Sequence, residues 1–170
     1  ENRGLKVNYL LAPLGVLIVS LAGGYFTGGG MDWYDTLNKP GIAPSGSFIG
    51  IVWTIIFILS AISILLFSND PKTNRKSLFF KLVVFLFIIN GLLNIFWSVL
   101  FFSWNLILAS VIEMCILNSV NLLLILMLWK NNKSSAVLLI PYFVWVCLAT
   151  YLAYSIYILN KKMKKVLVIL

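Results

Sequence analysis

The sequence predicts an all-α integral membrane protein, a bundle of five transmembrane helices around an interior ligand cleft, and three observations carry that reading. First, 61% of the 170 residues are hydrophobic and only 11% are charged, where a soluble domain carries about 25% charged residues. Second, the charges cluster between uncharged runs long enough to cross a bilayer, which takes about 20 residues. Third, the few polar side chains inside those runs recur at helical spacing. A soluble core built from a chain of this length could not hide so much apolar surface. The formal charge of +8 therefore reads as loop anchors for lipid phosphate, and no nucleic-acid partner is expected.

The charges mark the spans in order. Single uncharged runs lie between Lys6 and Asp32, Lys39 and Asp70, and Lys133 and Lys161, while Lys81 to Lys130 holds only Glu113 and is long enough for two helices. The spans are placed at 7–28, 47–68, 79–102, 105–129 and 135–160, giving one domain over 1–160 and a basic and apolar tail at 161–170. The first connection, 29–46, is the only long one; it is rich in Gly and Pro and is read as a loop capping the cleft. Asn69-Asp70-Pro71-Lys72 is a turn signal, and Phe102-Ser103-Trp104-Asn105 has room only for a hairpin at the membrane surface. The first run is long enough to be retained as a helix, so no cleavable signal peptide is expected.

On the side of the N-terminus and the second and fourth loops stand Arg3, Lys6, Lys72, Arg75, Lys76, Lys81, Lys130 and Lys133. The other side has Lys39 and the tail lysines Lys161, Lys162, Lys164 and Lys165. That excess favours an N-terminus facing the cytoplasm, against which the lysine-dense tail weighs.

The chain has no histidine, which removes Ser-His-Asp and Cys-His nucleophilic systems, imidazole-bound zinc and the common proximal haem ligand. Cys115 and Cys147 stand alone in apolar runs and are read as packing residues. Neither a metal site nor a required cofactor is expected.

Polar groups at membrane depth are costly and turn toward the bundle interior. In the third span Asn90, Asn94, Trp97, Ser98 and Phe101 share one face. The fourth contributes Glu113, Asn118 and Asn121, and the fifth Tyr142, Trp145, Ala149 and Leu152. The asparagines can simply bond helices together, at about 0.6 kcal/mol each. Glu113 is a sharper case, and its carboxyl is expected to be protonated or bonded to an asparagine or a hydroxyl. Trp33, Tyr34, Trp104, Trp129 and Tyr157 fall at span ends, where an aromatic belt accounts for them. Trp53 and Trp145 lie inside spans, and indoles with a few amides suit a large, flat, mostly apolar ligand. Ser20, Gly24 and Gly28, like Gly46 and Gly50, have the spacing of close helix contacts, within the bundle or in a homodimer seam. Leu152, Tyr157 and Lys161 fit a common and weakly specific cholesterol pattern.

With these residues in place, the chain resembles the TspO/MBR family of tryptophan-rich sensory or translocator proteins over about residues 7–160. Trp33-Tyr34-Asp35-Thr36-Leu37-Asn38-Lys39-Pro40 is similar to the family's WYxxLxKP signature, and Pro44 and Trp53 follow. Asn90 through Asn94 and Trp97 to Phe102 match NxxxNxxWSxLFF. Pro141-Tyr142, Trp145, Ala149 and Leu152 match PYxxWxxxAxxL. Departures are Ile42 for a frequent aromatic residue, Ser45 for a proline, Ala153 for an asparagine and Ile158 for the arginine of the animal cholesterol segment, so sterol binding is not expected.

The resemblance implies a pocket capped by the first loop and lined by Tyr34, Trp53, Asn90, Asn94, Trp97, Trp145 and Ala149. The implied ligands are protoporphyrin IX or haem, held without an axial ligand, and other apolar small molecules such as isoquinoline carboxamides and benzodiazepines. The implied location is a bacterial cell membrane. Three readings of function stay open: tetrapyrrole binding for sensing, trafficking or stress regulation; light-dependent porphyrin degradation with Trp53 and Trp145 as catalytic candidates; and small-molecule transport, which the lack of an internal repeat disfavours.

Overall fold

The computed structural model describes residues 8–169, and its elements are α1 (Asn8–Gly29), α2 (Met31–Asp35), α3 (Gly46–Asn69), α4 (Leu78–Ser98) continued by a π-helical turn (Val99–Ser103), α5 (Ile107–Asn131) and α6 (Lys133–Ile169). All but α2 are long and apolar enough to cross a membrane. The start of the first span at residue 7, and the anchors Arg3 and Lys6, lie outside the described residues.

Each helix packs against two neighbours, in the order α1, α3, α6, α5, α4 and back to α1, so the five spans close a ring. At one end the ring is solid. Phe67, Val83, Leu124, Leu128, Ala136 and Leu139 fill it with buried apolar side chains. Lipid is as apolar as leucine, so such contacts need polar bonds or close backbones to hold them. Ser63 and Ser135 supply both: Ser63 Oγ donates to the Ser135 carbonyl at 2.8 Å and Ser135 Oγ to the Ser63 carbonyl at 2.6 Å.

Helix termini follow the capping rules. Ser45 and Ser77 accept the backbone N–H of Phe48 and Phe80 at the starts of α3 and α4, and Asn132 accepts that of Ser135 in the first turn of α6, as short polar side chains do at N-caps. The expected turn after Asn69 forms. Asp70 accepts from the Lys72 amide at 2.9 Å, a bond that holds its carboxyl below the usual carboxylate range. Arg75 closes the end of α3 by donating to the Ser68 carbonyl at 2.9 Å.

Three parts differ from the sequence expectation. The segment 161–169 is not a separate tail but a continuation of α6 to Ile169, because lysine, methionine and leucine favour helix and no Gly or Pro interrupts them. The capping loop 29–46 contains α2. The Phe102–Asn105 hairpin is reached through the π turn, in which the Trp104 amide bonds the Val99 carbonyl at 2.9 Å; Asn105 then takes φ 57°, a conformation asparagine tolerates better than most residues. The two cysteines are exposed on the bundle surface rather than packed inside it.

Gly30 joins α1 to α2 directly beside the π turn. A methyl built on it would meet the backbone of Phe102 and come within 2.6 Å of Phe102 Cβ, so the corner is seated by the absence of a side chain. At Gly24 and Gly28 the same methyl meets nothing within 4 Å. Gly30→Ala is therefore expected to cost about 1–3 kcal/mol by overpacking, whereas Gly28→Ala should melt no lower than wild type, alanine being the better helix former by about 1 kcal/mol. Thermal melts of the two detergent-purified variants check this, and equal melting temperatures would disprove the close approach at Gly30.

Candidate functional site

Toward the other end, the ring is hollow. A cavity of about 840 Å³ is enclosed by α1, α3, α4, the π turn and α6, with α2 and the loop residues Ile42 and Pro44 above it; α5 packs behind α4 and α6 and does not reach it. Its size suits a drug-sized or cofactor-sized ligand.

Stacked and edge-on aromatic rings make the wall. Trp53 on α3 faces Trp97 on α4 at 6.0 Å between ring centroids, and Trp97 stacks on Phe101 at 5.9 Å. Trp53 meets the edge of Tyr142 at 5.8 Å, and Phe48 approaches Trp145 at 6.4 Å. The π turn widens the backbone so that the consecutive Phe101 and Phe102 both line the cavity. Tyr34 of α2 closes the top against both, at 6.0 and 5.9 Å. Burial, and then the charge of Asp35, push the Tyr34 phenol above its ordinary range.

Six of the seven expected site residues, Tyr34, Trp53, Asn94, Trp97, Trp145 and Ala149, line this one cavity. Asn90 does not. It lies one turn below Asn94, where Asn90 Nδ2 donates to Asn121 Oδ1 at 2.7 Å, and Asn121 in turn donates to Asn118 at 3.3 Å. Asn118 donates to the Phe143 carbonyl at 3.3 Å, which ties α4, α5 and α6 together beneath the floor. Asn94 is also bonded, donating through Nδ2 to Tyr142 Oη at 2.9 Å.

The indole N–H groups of Trp97 and Trp145 are buried and have no partner among the described residues. An unmet buried donor costs about 1–3 kcal/mol. Both residues line the cavity, but their indole nitrogens are covered by protein rather than open to it.

The small-residue ladder has a different place from the one its spacing suggests. Around Gly24, Gly28 and Gly50 no neighbouring helix comes within 4 Å of a built methyl; together with Ser20 and Gly46 they line the cavity. Period four puts residues on one face, and a hollow uses that face as readily as a contact does. Ile42 and Thr54 also line it, and no sequence signal singled out Thr54. At Phe48, Leu148 and Tyr151 the lining residues are 51%, 57% and 61% exposed, so the cavity reaches the outer, membrane-facing side of the bundle there.

The model of the TspO/MBR family matches residues 11–159. The chain belongs to the TspO/MBR family. It is 41% identical over 130 residues to the tryptophan-rich protein TspO of Bacillus cereus, covering 75% of this chain and 80% of that one. It is 31% identical over 153 residues to the TspO of Archaeoglobus fulgidus, covering 86% and 93%. It is 24% identical over 128 residues to protein CrtK of Rhodobacter capsulatus, covering 75% and 78%. This TspO/MBR chain is thus a membrane protein, as its five apolar spans require.

Glu113 lies on α5, within electrostatic reach of Tyr142. It is 4% exposed, and neither carboxyl oxygen has a hydrogen-bond partner among the described residues. The expected bond to an asparagine or a hydroxyl is absent because the nearby amides are taken by each other and by Tyr142. The side chain does face protein rather than lipid. Glu113→Gln keeps its shape and is expected to change stability by less than about 1 kcal/mol, whereas Glu113→Lys adds an unpaired charge worth about 2.5–3.5 kcal/mol or more at this depth. Expression yield and melting temperature of the two variants check this; a Lys variant as stable as wild type would mean that the side chain reaches water.

Proposed function

We propose that this protein binds tetrapyrroles, protoporphyrin IX or haem, within the bacterial cell membrane, in the service of porphyrin sensing, trafficking or stress regulation. The observation that supports it most is the cavity wall: the rings of Trp53, Trp97, Phe101 and Trp145 and no charged side chain among the lining residues. A flat conjugated ring gains from stacking beyond the area it buries. The opening at Phe48, Leu148 and Tyr151 admits a molecule already dissolved in lipid. Protoporphyrin fits this chemistry without further help; haem would sit with its iron unligated by imidazole, because the sequence has none.

Adding protoporphyrin IX should quench the tryptophan fluorescence of the purified protein with a dissociation constant on the order of micromolar, about −8 kcal/mol. In a variant with Trp53→Phe and Trp145→Phe the quenching should largely disappear; equal quenching would refute the cavity as the site. Illuminating the complex and weighing the recovered ligand separates binding from light-driven chemistry on it.

Ala149 supplies the finer test. It lies one turn from Trp145 on the same wall, and a methyl there leaves room for a planar molecule against α6. Ala149→Val fills that room, and overpacking of about 1–3 kcal/mol borne by the complex alone would weaken binding roughly ten- to hundredfold. Affinity and melting temperature measured on one preparation decide the matter: a lower melting temperature with unchanged affinity would remove Ala149 from the site.

A further inference from the structure

The solid end of the ring gathers cations with little to balance them. Lys72, Arg75 and Lys76 stand in the turn after α3, Lys81 in the first turn of α4, and Lys130 and Lys133 at the corner between α5 and α6; all six are exposed. Among the described residues Asp70 is the single acid there, and its two oxygens are taken by neutral donors, the Lys72 amide at 2.9 Å and Asn132 Nδ2 at 2.8 Å. The one ion pair among the described residues, Lys39 with Asp35, is at the opposite end. Arg75 is engaged in closing α3, through Nε to the Ser68 carbonyl at 2.9 Å and Nη2 to Asn69 Oδ1 at 3.1 Å. The lysines are left facing one another, and like charges so gathered repel.

The bond from Asn132 to Asp70 also fastens the α5–α6 corner to the turn after α3, so the two basic segments form one surface. Trp129 marks its depth. That ring is half exposed, and the Lys133 ammonium lies 5.9 Å from its centroid; a tryptophan so placed beside a lysine belongs at the level of lipid headgroups. Below the lysines, Leu122, Leu126 and Trp129 share one exposed face of α5 at spacings of four and three, an apolar track that leads from the cations into the bilayer. The lid end differs. There Lys39 is paired with Asp35, and the tail lysines ride on α6, whose 37 residues run about 55 Å against about 40–45 Å for a whole bilayer.

We propose that this surface is a docking site for an anionic glycerophospholipid, whose headgroup phosphate is received by Lys72, Lys76, Lys130 and Lys133 while its acyl chains lie along the Leu122, Leu126 and Trp129 face. The lipid supplies the counter-charge that this end of the chain lacks. The apolar track is what selects a lipid over a free phosphate ion. Phe67, Leu124, Leu128 and Leu139 fill the bundle at this end, so the docked lipid is separate from whatever the cavity holds.

Brominated lipids test it, because bromine on an acyl chain quenches tryptophan only at close range. The protein is placed in phosphatidylcholine vesicles, and brominated phosphatidylglycerol or brominated phosphatidylcholine is titrated in; the quenching lost in Trp129→Phe reports on this corner. Phosphatidylglycerol should be preferred there about 25-fold, two lysines contributing about fivefold each, about 1 kcal/mol apiece, and the preference should shrink as salt is raised. Lys72→Gln with Lys76→Gln, or Lys130→Gln with Lys133→Gln, should each cut the preference by about fivefold or more, whereas Lys161→Gln at the lid end should leave it unchanged. Unaltered quenching by brominated phosphatidylcholine certifies that each variant is folded; should one fail to reconstitute, the wild-type comparison and its salt dependence still decide. Equal quenching by the two lipids, or a preference that survives both double variants, would overturn the proposal. So would a preference lost in sodium phosphate but kept in sodium chloride of the same ionic strength, which would mark a site for phosphate ions and not for lipid.

Discussion

Everything in this molecule depends on how five apolar helices are kept together in a solvent that is itself apolar. The hydrophobic effect does not draw one span to another inside a bilayer, so close approach and polar bonds must do it. The solid end of the ring uses both at Ser63 and Ser135, whose hydroxyls exchange bonds with each other's backbone across α3 and α6. The middle uses the relay from Asn90 through Asn121 and Asn118 to α6. Above that relay only Asn94 and Tyr142 still bridge the helices, and the ring opens into the cavity. The hollow exists because the interhelical polar bonds are concentrated below it.

The lid is then a consequence of the hollow. Helices that diverge leave an open mouth, and a loop must cross it with its backbone groups satisfied. Here α2 bonds internally, Gly30 lets it approach the π turn without a side chain between them, and the Asn38 and Asn160 amides tie the far end of the loop to α6. The aromatic contacts from Tyr34 to Phe101 and Phe102 complete the closure. Lid and wall are thus one packed unit, and a ligand that changes the wall changes what the lid rests on.

Much of this was legible in the sequence because charge is excluded from lipid so strongly. Lys39, Asp70, Lys81, Lys130 and Lys133 bracket the spans to within a few residues of where they lie. The shared face of Asn94, Trp97 and Phe101 was legible for the same reason that any helix face is. Depth along the face was not. Asn90 shares the stripe but sits one turn lower, below the floor, and nothing in a 3.6-residue period tells where a hollow ends. The ladder Ser20, Gly24, Gly28 shows the converse limit: small residues permit a close contact and equally permit an empty space, and only the neighbouring helices decide. The π turn was invisible because it is a hydrogen-bond register, not a composition. The end of α6 was misjudged because a run of lysines signals an interface with water and does not end a helix.

The distribution of unmet polar atoms argues that the hollow is kept at some cost to stability. Five buried side-chain atoms lack a partner among the described residues; two belong to the cavity residues Trp97 and Trp145 and two to Glu113 on α5. At the solid end the hydroxyls of Ser63 and Ser135 are paired. Each unmet group costs on the order of 1–3 kcal/mol, a sizeable part of the 5–15 kcal/mol by which a domain is ordinarily stable. A sequence shaped for stability alone would place phenylalanine at positions 97 and 145, where the ring packing would survive and the orphaned N–H would vanish. What an indole adds at either position is a wider flat face along the cavity than phenylalanine presents. The same reasoning separates the two kinds of asparagine in α4: Asn90 is spent on holding helices together, while Asn94 is held by Tyr142 at the cavity wall.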